Sequence, residues 1–111
     1  MISYQYAKKL KLEIAVVNKA KEYFENLVKH GDLSYLNELN DASQKVQLLK
    51  EDYLDKINDY SNEVSAEVKK SLEDLNACTT KINRIVRNLE DARKVIQYTS
   101  KLLLAISAFG I

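Results

Sequence analysis

The sequence predicts an all-α protein, an antiparallel helical bundle of three long helices with a short connector helix. Three observations support this: proline is absent, glycine occurs only at Gly31 and Gly110, and apolar residues recur at helical spacing along most of the 111 residues. A β-rich fold needs a turn about every ten residues, usually built on glycine, proline or Asn-Gly. At this length we expect one domain that spans residues 1–111.

The first helix has the clearest pattern. Its apolar residues follow at three-, four- and seven-residue steps, the stripe of an amphipathic helix. These residues are Leu10, Ile14, Val17, Phe24 and Leu27. Gly31 is expected to end the helix, because glycine readily adopts the left-handed conformation found at many helix ends. We expect a helix of about 28 residues, roughly 42 Å long.

Two capping patterns follow the first helix. Asp32 is suited to begin a short connector helix in "DLSYLNEL", and Asp41 with Gln44 resembles a capping box that begins the second long helix. The apolar spacing then continues along the second and third helices. The apolar positions are Val46, Leu49, Tyr53, Ile57, Tyr60, Val64, Val68, Leu72 and Leu75, then Ile82, Val86, Leu89, Val95 or Ile96, and Leu103.

The break between the second and third helices has two candidate positions. "LNACTTK" contains Asn76, Thr79 and Thr80, which are weak helix formers and reasonable caps, and we place the turn there. "DYSNEVS", around Ser61, is nearly as suitable. Without either break the two helices form one rod, and the fold becomes a long helical hairpin or coiled coil that oligomerises to bury its stripe.

Charge changes sign along the chain. Six lysines against three glutamates give residues 1–31 a charge of +3, five lysines against eleven acids give 32–78 a charge of −6, and six basic residues against two acids give 79–111 a charge of +4. Antiparallel helices with complementary flanks would show this order. The acidic stripe is Asp52, Asp55, Asp59, Glu63 and Glu67. The candidate basic stripe on the third helix is Lys81, Arg84, Arg87, Lys94 and Lys101.

Most catalytic and metal-binding patterns are missing from the sequence. His30 and Cys78 are the single histidine and the single cysteine, whereas a zinc site needs several such ligands. There is no glycine-rich phosphate loop and no nucleophile motif. We therefore expect no enzymatic activity, no cofactor and no metal. Cys78 is interpreted as a small packed residue in a reducing compartment, with a redox role or a disulfide across a dimer as the alternatives.

Nucleic-acid binding through Lys81, Arg84 and Arg87 is a weaker hypothesis. Glu90 and Asp91 interrupt this basic run, and the net charge of +1 is far below that of a typical nucleic-acid-binding domain. The amino terminus lacks the order of a secretory signal. We expect a cytoplasmic protein, either bacterial or, for a viral protein, in the host cytoplasm.

The carboxyl-terminal run "SKLLLAISAFGI" is apolar on all sides. It is too short to cross a membrane, which takes about 20 apolar residues, and it lacks the basic face of an interfacial helix. If the third helix runs parallel to the first, the run lies beside Phe24, Leu27 and Val28 and under the connector. Not all of its apolar residues can point inward. The predicted interaction surface is Leu102, Leu103, Leu104, Ile106 and Phe109.

The leading functional hypothesis is a non-enzymatic helical module for protein–protein interaction, such as an inhibitor, immunity protein, adaptor or assembly subunit. It would present the apolar carboxyl-terminal surface to a protein partner or to a second copy of itself. A membrane-active helical protein that uses the same run is one alternative. A weak nucleic-acid binder that uses the third helix is the other.

Overall fold

A computed structural model describes the backbone of residues 2–58, 66–82 and 84–109, and the side chains of 8–52, 68–82 and 84–107. These residues form an all-α bundle, as the sequence predicts. The described chain contains four α-helices and one 3₁₀ turn rather than three long helices and a connector. They are α1 (Ile2–Lys29), the 3₁₀ turn (Leu33–Tyr35), α2 (Leu36–Asn58), α3 (Ala66–Lys81) and α4 (Leu89–Phe109).

Helix α1 has the predicted length and ends as predicted at Gly31. This glycine has a φ of +98°, and its N–H donates to the carbonyl of Val28 at 3.0 Å. The N–H of Asp32 donates to the carbonyl of Leu27 at 3.1 Å. Together the two bonds form the Schellman arrangement, which satisfies carbonyls that the helix end leaves unpaired.

The connector is shorter than expected. Asp32 caps it by accepting a hydrogen bond from the Ser34 N–H at 3.3 Å, but the connector is a single 3₁₀ turn, and α2 begins directly afterwards at Leu36. The capping box predicted at Asp41 is therefore wrong. Asp41 lies inside α2 and pairs with Lys45 one turn later. The helix continues through this position because the inward-facing apolar spacing spans it, with Leu39 partly buried before it and Ala42 fully buried after it.

The predicted turn at "LNACTTK" is also misplaced. Asn76 and Thr80 lie within α3, where the Thr80 hydroxyl donates to the Asn76 carbonyl at 2.8 Å. The turn follows Lys81, and α4 begins after Asn88, whose side chain accepts from the Asp91 N–H at 2.8 Å as an N-cap. The competing break around Ser61 lies outside the described residues.

The long-hairpin alternative does not fit the dimensions of the molecule. A straight helix from Leu36 to Lys81 would be about 69 Å long at 1.5 Å per residue. The longest dimension of the protein is 47 Å. Helices α2 and α3 therefore do not form one straight rod.

Helix α4 runs in the direction opposite to the one the sequence predicts. Arg93, in its second turn, pairs with Glu38 near the start of α2 at 2.8 Å and lies over the ring of Tyr35. The beginning of α4 is thus at the connector end, so α4 is parallel to α2 and antiparallel to α1. The expectation that the carboxyl-terminal run lies beside Phe24 and under the connector is wrong.

The core lies between the four helices and draws on all of them. Its spacing on α1 follows the predicted stripe, with Leu10, Val17 and Phe24 buried at seven-residue steps. The buried apolar residues are Leu10, Val16, Val17, Ala20, Phe24, Ala42, Val46, Leu49, Val68, Leu72, Leu75, Ala92, Val95, Leu102 and Ala105.

Candidate functional site

The predicted basic stripe is not on one helix. Lys81 ends α3, Arg84 and Arg87 lie in the segment before α4, and Lys94 and Lys101 lie on α4. Because the chain reverses between α3 and α4, the two helices place three of these five residues around one groove. They are Lys81, Lys94 and Lys101.

This groove, the α3–α4 groove, is an open depression of about 530 Å³ on the outside of the bundle. Each helix contributes side chains about one turn apart, the spacing at which helical residues share a face. On α3 these begin at Asp74, and on α4 at Lys94. The lining residues are Asp74, Ala77, Cys78, Lys81, Ile82, Lys94, Gln97, Tyr98 and Lys101.

The groove carries more positive than negative charge, with three lysines against Asp74. Lys94 has an exposed intrahelical partner, Glu90, at 3.4 Å. The Lys101 ammonium lies 5.0 Å from the centre of the Tyr98 ring, a cation–π contact. Lys81 has no ion-pair partner within the part of the chain that the structure describes. The existing contacts of these ammonium groups are exposed and therefore weak. All three groups can pair with an anionic group of a partner with little loss of free energy.

Cys78 lies half-buried at the floor of the groove. Burial raises the pKa of its thiol, and the nearby charges of Lys94 and Lys81 oppose that rise only in part. The thiol is consequently protonated at neutral pH. A protonated thiol is a weak nucleophile, so this cysteine gives the groove a small neutral surface and only slow thiol reactivity.

Arg84 points away from the groove into a buried polar cluster. Glu13 is 1% exposed, and its carboxylate accepts from Arg84 Nη1 at 2.8 Å and from Thr79 Oγ1 at 2.9 Å. Arg84 Nη2 also donates to the side chain of Asn76. The backbone of Arg84 has a φ of +56°, the left-handed region. This arrangement satisfies the buried charge of Glu13 and engages the guanidinium of Arg84, which stays 36% exposed, within the protein.

The sequence prediction did not assign a role to Glu13. The signal was present, since Glu13 is three residues after Leu10 and four before Val17 and so shares their buried face. A charge on such a face needs a partner, but its partners are 66 and 71 residues away along the chain. Only the fold identifies them.

The remaining charged positions divide between surface and interhelical contacts. Arg87 is exposed, and its backbone N–H donates to Asp91 at 3.3 Å. Arg93, absent from the predicted stripe, donates to both carboxylate oxygens of Glu38, at 2.9 and 2.8 Å. Asp52 belongs to the described chain, but the side chains of the other acidic-stripe residues do not, so their predicted pairing lies outside it. Those four are Asp55, Asp59, Glu63 and Glu67.

The predicted apolar surface at the carboxyl terminus is not one continuous surface. Leu102 is fully buried, and Leu103 and Ile106 are partly buried against the core. Leu104 is 69% exposed, whereas the side chain of Phe109 is outside the described residues. Among the described apolar side chains of this run, all except Leu104 are therefore buried or partly buried against the core.

Leu104 adds an apolar contact beside the α3–α4 groove. It follows Lys101 by three residues and Gln97 by seven, both spacings that keep side chains on one side of a helix. It does not line the groove itself but lies one turn beyond Lys101 on the exposed side of α4. One member of the predicted apolar surface is therefore close to one end of the groove.

No cluster of three or more histidine, cysteine or acidic side chains suited to a metal ion occurs among the described residues. In the same part of the chain, no helix combines the length and apolarity needed to cross a membrane.

Comparison with known proteins gives no relative. No protein-family model matches the chain, and no curated protein or solved structure is significantly similar to it. Any functional proposal for this protein therefore depends on its own residues.

Proposed function

We propose that this protein is a non-enzymatic interaction module that binds another protein through the α3–α4 groove. The observation that carries the proposal is the convergence of Lys81, Lys94 and Lys101, from two helices, on one open concave surface. Among the described residues of the carboxyl-terminal surface in the sequence-based hypothesis, Leu104 is the most exposed, and it lies beside this groove.

The combination of groups suits recognition better than catalysis. The lysines supply charge, and the ring of Tyr98, the side chain of Ile82 and exposed Leu104 supply apolar contact. Interfaces between proteins characteristically combine an apolar centre with a polar rim. A single exposed leucine is ordinary on a protein surface. Its place beside a basic groove is what gives Leu104 a role in this proposal.

A matched pair of charge-reversal variants tests the proposal. The groove variant carries Lys81→Glu, Lys94→Glu and Lys101→Glu. The control carries Lys9→Glu, Lys11→Glu and Lys50→Glu, which are exposed positions on α1 and α2. Both variants lower the net charge by the same amount, so a general electrostatic effect would change partner binding equally in both.

Each tagged protein is used to capture proteins from an extract of the source cells, with quantification by mass spectrometry. We expect at least one protein to be recovered about tenfold more by the wild type and the control than by the groove variant. Equal recovery by all three would contradict the proposal. Light scattering on the purified proteins distinguishes one further outcome. If the wild type and the control are dimers and the groove variant is a monomer, the partner is a second copy of this chain.

A further inference from the structure

We infer that the occupant of the α3–α4 groove is an acidic amphipathic helix of the partner protein. The inference rests on the proposed function and specifies the chemistry of the partner. It is carried by the shape of the groove, the positions of its charges and the nature of its floor.

The shape of the groove suits a helix. Its two walls are antiparallel neighbouring helices, and a depression between such helices can receive a third helix by its side chains. Because α3 and α4 are antiparallel, Lys81 at the end of α3 lies toward the Lys94 end of the groove, and Asp74 lies toward the Lys101 end. Lys94 and Lys101 are seven residues apart, which is about 10 Å along the helix.

The positions of the charges specify the pattern of the occupant. Acidic residues seven apart on a helix that lies along the groove have the same separation of about 10 Å. They can therefore meet Lys94 and Lys101 together. Asp74 offsets part of the positive charge near Lys101, so we expect the stronger contact at the end where Lys81 and Lys94 meet.

The floor of the groove favours a small apolar side chain between the acidic ones. Ala77, Cys78 and Ile82 contribute short or aliphatic groups, and Tyr98 contributes a ring. Leucine or alanine on the inward face of the occupant would replace water there.

The same features argue against other anionic partners. A bilayer surface is flat, whereas the three lysines line a concavity. A duplex requires many phosphate contacts, and the guanidinium of Arg84 already pairs with the buried carboxylate of Glu13. A lipid surface and a nucleic acid are therefore outcomes of the test that would overturn the inference.

The test is an NMR titration of the ¹⁵N-labelled full chain with a synthetic amphipathic peptide of about five helical turns, with leucine along one face and glutamates at seven-residue spacing flanking that face. We expect shift changes concentrated in residues 74–82 and 94–104, with a dissociation constant of about 10 µM to 1 mM. A matched peptide with glutamine in place of glutamate should bind at least about tenfold more weakly. The groove variant should lose binding, and the Lys9, Lys11 and Lys50 control should keep it.

Several results would overturn the inference. One is the absence of any chemical-shift change at about 1 mM peptide. Another is a set of shift changes centred on other helices, and a third is equal affinity for the glutamine peptide. Changes at the groove with phosphatidylglycerol vesicles or a short DNA duplex, in the absence of a response to the acidic peptide, would also overturn it.

The experiments test the proposed function and the acidic-helix inference separately. Groove-dependent capture of a protein without peptide binding would reject the acidic helix and keep the interaction module. Peptide binding without groove-dependent capture would show that the groove accepts acidic helices but would contradict the proposed cellular function.

Discussion

At the scale of single residues, Glu13 shows how a buried charge can specify a fold. Its carboxylate joins α1 to the end of α3 through Thr79 and to the following segment through Arg84. A buried carboxylate is stable only when its hydrogen bonds are satisfied. The network thus favours the one arrangement in which the reversal before α4 lies against α1.

Replacing Glu13 with Gln should lower the free energy of unfolding by about 2 kcal/mol, because the charge-assisted bond to Arg84 is lost and an amide must fit the same donors. Urea denaturation followed by circular dichroism measures this. A Glu13→Gln protein within about 0.5 kcal/mol of the wild type would contradict the role given to the network. Lys11→Gln, an exposed change two residues away, is the control and should have little effect.

At the scale of helices, the contact between Glu38 and Arg93 shows the direction of α4. The pair is bidentate and links the start of α2 to the start of α4, with the Tyr35 ring beneath the guanidinium. The hydrogen bond from Arg93 lowers the pKa of the Glu38 carboxyl below its ordinary value of 4.5. The folded state therefore favours the ionised carboxylate.

This shift predicts a pH dependence of stability. A carboxyl whose pKa is lower in the folded state stabilises the fold above its unfolded pKa, and the contribution is lost as the pH falls through the folded value. Glu38→Gln should thus be less stable than the wild type at pH 7, and the difference should shrink at pH values below about 4. Urea midpoints at both pH values check this. A difference that stays constant or grows on acidification would be the contrary result.

Much of the local structure could be predicted from the sequence. Helix α1 could be predicted because its stripe, its length and the glycine at its end all agree. The start of α2 could not, because Asp41 with Gln44 imitates a cap while the burial of Ala42 continues the helix. Thr80 misleads in the same way, since in this helix its hydroxyl bonds to the preceding turn instead of ending it.

At the scale of the whole molecule, the direction of α4 determines which residues form the candidate site. The lysines and the apolar run can both be recognised in the sequence, but only as separate features. An additional reversal of the chain brings Lys81 beside the lysines of α4 and turns Arg84 inward to Glu13. These relations depend on contacts between residues far apart in sequence, so local spacing cannot reveal them.

The most direct measurement of the central claim uses Cys78, the single cysteine of the chain, which lies in the α3–α4 groove. Its rate of alkylation by iodoacetamide is measured in the free protein and in the complex with the captured partner. If the partner occupies the groove, alkylation should be at least about fivefold slower in the complex, because the thiol is covered. An alkylation rate that is the same in both would show that the partner binds elsewhere and would contradict the account.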